Sequence, residues 1–299
     1  MGTGHQRSEN YCRLNMNNNN ILKNIGILGL GKMGEPMAGH LIKHGYRVFG
    51  YDPLAQACER SALLGVSIQS SPQLVAEKSD LVIIVVGFDS EVEEVIFGDH
   101  GVIHAARPGL IVALGSTVAP QYAFELSTKL RKKDIDLLDI PLTRGEAAAI
   151  SGKLLILGAG DERIFEQCRP VFSAFANDIF HLGQAGCGQV GKMVNNLILW
   201  ACTAANDEGI RLGESLGVDA EKMRKALHHS SAQNWAMDER ADLSGMPWAE
   251  KDMNIVLQEA DQVRLSLPLC GSIKEVIKGL KIRMGLGLPK ALAKPSSSS

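Results

Sequence analysis

The stretch IGILGLGKMGEPMAGHLIKHGYRVFGYD, residues 25–52, decides how this chain folds. It reads as an apolar run, a glycine turn, a helical pattern and a second apolar run ending in an acid. That is strand, turn, helix, strand. Within GLGKMG, Gly29 allows the tight turn, Gly31 lets backbone approach a pyrophosphate, and Gly34 lets the helix pack close to the strand. Leu30, Lys32 and Met33 complete the turn, and the helix N-terminus behind it offers N–H groups and partial positive charge to phosphates. Asp52 lies 23 residues after Gly29, at the end of the second strand. A carboxylate there accepts hydrogen bonds from ribose hydroxyls and repels a 2′-phosphate, so NAD is expected in preference to NADP.

The 299 residues suffice for one large or two ordinary domains, and 45% of them are hydrophobic, enough for a sizeable core. A formal net charge of -2 argues against nucleic acid or an anionic membrane surface as partner. The six cysteines lack CxxC or metal-ligand spacing, the eight histidines do not cluster, and no metal is expected. Free thiols in a reducing compartment are the simple reading. No uninterrupted apolar run reaches bilayer-spanning length, and the N-terminus lacks the apolar centre of a signal peptide. Residues 1–23, polar and asparagine-rich, are expected to form a disordered extension, with Met16 as an alternative start. Residues 295–299 read as an unstructured tail. A cytoplasmic protein follows as the expectation.

Apolar strand-like runs at 66–68, 81–86, 110–114, 135–139, 153–158 and 179–182 alternate with helical patterns at 55–64, 71–78, 91–96, 119–132 and 163–175. Such alternation predicts an α/β fold with a mostly parallel, doubly wound sheet of the Rossmann type. The pattern changes at Gly183. Residues 188–216 read as one helix, longer than a typical globular one, and helical patterns follow at 220–229, 232–243, 249–264 and 272–280. The division expected is a dinucleotide-binding domain at 24–184 and an all-helical domain at 185–294, joined by the long helix.

Lys192 lies in the first turns of that helix, with Asn195 and Asn196 at i+3 and i+4 on the same side. An ammonium beside a nicotinamide suits carbonyl–alcohol interconversion: it donates a proton to the developing alkoxide, and an amide orients the substrate. Ser116 and Thr117 follow a strand at its carboxyl end, where hydroxyls either bind ligand or satisfy a turn. Thr143, Arg144 and Gly145 follow another strand. Together they suit an anion, with Arg144 offering a forked cation. Lys251 and Asp252 open a helix, and by spacing alone the acid reads as a cap. Trp200, Trp235 and Trp248 read as packing residues, the last two with pocket walls as the alternative.

Five segments, in order, resemble the β-hydroxyacid dehydrogenase family: GLGKMGEPMA, GSTVAP, DIPLTRGEAAAISGKLLILGAGD, GCGQVGKMVNN and EKDMNIVL. The likeness spans roughly residues 24–285. It implies oxidoreductase activity on a small β-hydroxyacid or its semialdehyde, and a helical domain that mediates dimer or tetramer formation. Lys192 matches the family's catalytic lysine, and Asn196, with Asn195, its amide partner. Thr117 matches a cofactor contact, Lys251 a lysine lining the nicotinamide site, and Ser116, Thr143, Arg144 and Gly145 fall at substrate positions. The family's loop more commonly reads serine–glycine–glycine at 143–145. A loop with arginine is similar to that of sulfolactaldehyde reductases, which implies a substrate with a strong anionic group near the reacting carbon. Residues 243–251 are also shorter than the family's usual segment. An imine reductase-like enzyme and a non-catalytic dinucleotide-binding scaffold are the alternatives.

Overall fold

The computed structural model describes residues 22–239, 246 and 248–287. β1 (Asn24–Leu28), the glycine turn, α1 (Gly34–Lys43) and β2 (Arg47–Tyr51) form the unit expected of the opening stretch. The chain continues through α2 (Ala55–Leu63), β3 (Ser67–Ile68), α3 (Pro72–Glu77), β4 (Leu81–Ile84), α4 (Asp89–Phe97), β5 (Leu110–Leu114), α5 (Pro120–Arg131) and β6 (Ile135–Asp139). Ser71 caps α3 by accepting from the Leu74 N–H at 3.2 Å, with Pro72 in the first turn.

The six strands form one parallel sheet in the order β3-β2-β1-β4-β5-β6. Every residue of β4 and β5 is buried. Ile83 and Ile111 belong to one apolar cluster, and their neighbours Ile84 and Val112 to another. Alternate side chains point to opposite faces, so both faces are covered, as all-parallel strands require. The strand order reverses between β1 and β4. The loops leaving those two strands diverge, and a crevice opens at the carboxyl ends.

One expectation fails. The strands near 153–158 and 179–182 do not extend this sheet. β7 (Leu142–Thr143), α6 (Gly145–Ser151), β8 (Leu154–Gly158), α7 (Glu162–Phe172) and β9 (Ala176–His181) build a second, three-stranded sheet in the order β7-β8-β9. β7 runs antiparallel to β8, and β8 parallel to β9. Pro141 has no N–H for a ladder, and the chain leaves the main sheet there. An antiparallel bridge between Asp139 and Ala159 joins the two sheets.

Leu22 is buried in the core, so order begins inside the stretch expected to be a disordered extension. Residues 1–21 and the tail at 295–299 lie outside the described residues.

α8 (Cys187–Ser215) has 29 residues, a length of about 44 Å at the usual helical rise. α9 (Ala220–Leu227), α10 (Trp235–Glu239), α11 (Ala249–Gln262) and α12 (Pro268–Arg283) pack around it. α10 falls within the helix read at 232–243, of which residues 240–243 lie outside the described residues. Trp200, Met253, Val256, Ile273 and Ile277 form the core where α8, α11 and α12 meet. Lys281 is buried there and bonds Glu250 at 2.7 Å. Removing either partner would strand a buried charge. Among the described residues no strand follows His181, and no helix is long and apolar enough to cross a membrane.

Candidate active site

The crevice between the two halves opens into a cavity of about 880 Å³. One wall is the glycine turn. Gly29 has φ +95°, and a Cβ there would strike the Val85 carbonyl oxygen. A Cβ at Gly34 would fall on the Gly29 carbonyl oxygen, because α1 packs hard against the turn. Gly31 differs: nothing lies within 4 Å of where its Cβ would be. Gly31, Lys32 and Met33 line the cavity. Leu30 does not, since its side chain is buried in the core. Its N–H donates to Asp52 Oδ2 at 2.7 Å, and the Leu54 N–H donates to Asp52 Oδ1 at 2.9 Å. Each carboxylate oxygen keeps acceptor capacity beyond one such bond.

The other wall rests on the start of α8. Asp139, at the end of β6, is buried and accepts from the Gly186 N–H at 3.1 Å and the Gln189 N–H at 3.0 Å. Burial pushes its carboxyl pKa up, and these backbone bonds oppose the rise. An acid at a helix N-terminus also meets the favourable end of the dipole. The Gln189 side chain donates to the Ser116 carbonyl at 3.0 Å and accepts from the Val118 N–H at 3.2 Å. The first turn of α8 is thereby fixed to the loops after β5 and β6.

One turn further, Lys192 Nζ donates to the Leu142 carbonyl at 2.7 Å. The Asn195 amide donates to Asn196 Oδ1 at 3.0 Å. Asn196 and Trp200 complete the same helix face, and both bond the buried Asp252 carboxylate, Trp200 Nε1 at 3.0 Å. Burial raises the pKa of Asp252, while Lys192, Trp200, Lys251 and Asn196 pull it down. Asp252 is therefore not the helix cap that its position suggested. It points inward from α11 and gathers the polar groups of α8.

Its neighbour Lys251 reaches the opposite way. Its Nζ donates to the Gly87 carbonyl at 2.8 Å and the Thr117 carbonyl at 2.9 Å, both on the Rossmann half. The ammonium also sits 5.2 Å from the Phe88 ring centroid and 5.8 Å from that of Trp248. Burial lowers its pKa, against the pull of Asp89, Asp252 and Glu91. Lys192, Asn195, Asn196, Lys251, Thr117, Thr143, Arg144 and Gly145 all line the one cavity.

Comparison with known proteins identifies the family. The family model for the NAD binding domain of 6-phosphogluconate dehydrogenase matches residues 24–183. A second model, NAD-binding of NADP-dependent 3-hydroxyisobutyrate dehydrogenase, matches residues 186–288. The chain is 31% identical over 273 residues to the 2-(hydroxymethyl)glutarate dehydrogenase of Eubacterium barkeri, covering 88% of this chain and 90% of that one. It is 32% identical over 280 residues to the NAD-dependent L-serine dehydrogenase of Pseudomonas aeruginosa, covering 88% and 94%. The structure of Mycobacterium tuberculosis 3-hydroxyisobutyrate dehydrogenase with L-serine superposes with a TM-score of 0.78 at 26% identity, over 87% of this chain and 94% of that one.

The chain belongs to the β-hydroxyacid dehydrogenase family. It is an oxidoreductase that uses a nicotinamide cofactor and acts on a CH–OH group. The crevice of this family member fits such a cofactor: open space at Gly31, a helix N-terminus behind it and an acid at the end of β2.

Three of the expected substrate contacts also bond groups within the chain. Ser116 is buried, and its hydroxyl accepts from the Val86 N–H at 2.8 Å. It ties the ends of β4 and β5 together and also lines the cavity. Arg144 lines the cavity, yet its Nη1 bonds Asp178 Oδ2 at 2.6 Å and Asn177 Oδ1 at 2.8 Å. Thr143 is buried in β7 and leans on the Leu155 carbonyl at 3.4 Å.

In this family member two tryptophans take the pocket-wall place given above as their alternative. Trp235 and Trp248 are 41% and 40% exposed and line the cavity; Trp200 borders it too but is buried in the helical core. The Trp248 ring packs edge-on against Phe88, with centroids 5.2 Å apart. Asp139, Gln189 and Asp252 gave no local signal, because each acts on a partner more than 45 residues away.

Proposed function

We propose that this enzyme interconverts a small β-hydroxyacid and its semialdehyde, with NAD as cofactor and Lys192 as general acid and base. One observation carries the proposal. Lys192 and Asn196 share a helix face that lines the same cavity as the glycine turn, with a buried carboxylate behind them.

When bound, the nicotinamide supplies or takes up the hydride. Gly31, Lys32, Met33 and the α1 N-terminus would hold its pyrophosphate, and Asp52 its ribose hydroxyls. Thr117 and Lys251 would border the nicotinamide. Lys192 gives its proton to the substrate oxygen as the carbonyl is reduced, and recovers it in the reverse direction. The Leu142 carbonyl holds the ammonium in the interim. Asn196 orients the substrate oxygen while Asp252 fixes the amide. Thr143, Gly145 and Arg144 receive the substrate's anionic group, and Asn195 lies beside it. A dimer or tetramer through the helical half accords with the family resemblance.

The choice of a carbonyl over an imine rests on Lys192, which supplies a proton to an alkoxide. Turnover of NADH with a panel of malonate, tartronate and sulfonate semialdehydes, with a cyclic imine beside them, tests it. Consumption with at least one semialdehyde and none with the imine is the expected result. Consumption with the imine alone would overturn the reading.

A further inference from the structure

Arg144 stands where the chain is strained. Its φ is +76°, in the left-handed region that disfavours any residue with a Cβ. A glycine would relieve that strain. A long cationic side chain is held there by contacts of its own, all to Nη1. Asp178 Oδ2 accepts at 2.6 Å, Asn177 Oδ1 at 2.8 Å, and the Lys153 carbonyl at 3.3 Å. Asp178 and Asn177 sit side by side on β9, and Asp178 pairs in register with Leu155 of β8. Leu155 itself lines the cavity, as Arg144 does. Every acceptor thus belongs to β9 or to the residue just before β8.

A guanidinium is a planar fork with more than one usable edge. An anchor at Nη1 leaves Nη2 and Nε as the edge for a ligand. It also removes the rotamer freedom that a long side chain otherwise loses on binding. We propose that Asp178, with Asn177, is a positioning residue that aims the remaining edge of Arg144 at a substrate carboxylate. The proposal rests on the reading of Arg144 given under the proposed function and deepens it. The group recognised is a carboxylate, whose two oxygens match the two parallel donors of the Nε–Nη2 edge.

The test is the ratio of kcat/KM for malonate semialdehyde to that for propanal, which has the same carbon chain without the carboxylate. Arg144→Ala should lower the ratio about tenfold to a hundredfold. Asp178→Asn should lower it about fivefold to twentyfold, mostly through KM for the anionic substrate, and Asp178→Glu should restore part of the loss. The double variant should match Arg144→Ala alone, since Asp178 acts only through Arg144. Thermal denaturation of each variant separates a folding defect from a positioning one. If Arg144→Ala lowers the ratio while Asp178→Asn leaves it unchanged or raises it, the positioning role is wrong and the Arg144 reading stands. An additive double variant also overturns the positioning role. If Arg144→Ala leaves the ratio unchanged, both ideas fail together.

Discussion

The two walls of the cavity are built in opposite ways. The Rossmann wall is a contiguous turn, Gly29 to Gly34, that works through its backbone. Its parts are positioned within one strand–turn–helix–strand unit: a left-handed glycine, a close helix, an N–H given to Asp52. The helical wall is assembled from side chains whose partners lie far away in sequence. Lys192 is held by Leu142, Trp200 by Asp252, and Lys251 by Gly87 and Thr117. Phosphate binding needs donors and close approach, which a turn supplies locally. Proton transfer needs one amine at one place, which only tertiary structure supplies.

The contrast is broken most severely at Lys192. Lys192→Ala should lower turnover by about 10²-fold to 10⁴-fold, the usual range for loss of a general acid. NADH affinity, read by nicotinamide fluorescence, should stay within about threefold of the parent if the two walls are separable. A variant that keeps full activity would remove the assigned role.

The glycine turn makes a prediction within itself. Gly34→Ala should destabilise by about 1–3 kcal/mol through overpacking against Gly29. Gly31→Ala faces open space, so its thermal midpoint should match the parent. Its cofactor affinity should nevertheless fall, by about tenfold, because the methyl occupies the path of the pyrophosphate. Equal effects on stability at both positions would contradict this division.

Legibility followed the same contrast. The turn, the acid at 52, the α/β alternation and the long helix were readable, because period and spacing are local. The second sheet was not. β7 is two residues long, and no periodicity distinguishes strands that join one sheet from strands that start another. Asp252 shows the limit at the site. Near a helix start an acid reads as a cap, and only packing against Trp200 and Asn196 reveals its inward aim. Lys192 takes its assignment from the five segments in order, since a lysine with two amides on one helix face is a common pattern. A hydroxyl at a strand end serves a turn as readily as a ligand, and Ser116 both accepts from the Val86 N–H and lines the cavity.

Smaller effects sharpen the comparison. Asp52→Asn keeps acceptor capacity at the β2 end but removes the charge that repels a 2′-phosphate. It should raise the NADPH-to-NADH ratio of kcat/KM about tenfold. No change would detach cofactor choice from Asp52. On the opposite wall, burial raises the Asp252 carboxyl above its ordinary value of 3.8. The folded chain thus holds that proton to higher pH than the unfolded chain. The stabilisation is complete below the unfolded value and is lost as pH rises through the raised one. Asp252→Asn removes this titration, so the stability of the variant relative to the parent should improve as pH rises above the unfolded carboxyl's value of about 4. Thermal midpoints measured as a pH series upward from that value check it, and a constant gap would contradict it.

A crystal structure of the ternary complex with NAD and a slowly oxidised β-hydroxyacid is the most direct test of how the two walls cooperate. The hydroxyl oxygen should lie about 2.6–3.2 Å from Lys192 Nζ, on the cavity side of Asn196, with the cofactor on the glycine turn. A hydroxyl beyond hydrogen-bond reach of that amine, with Lys192 still held on the Leu142 carbonyl, would contradict it.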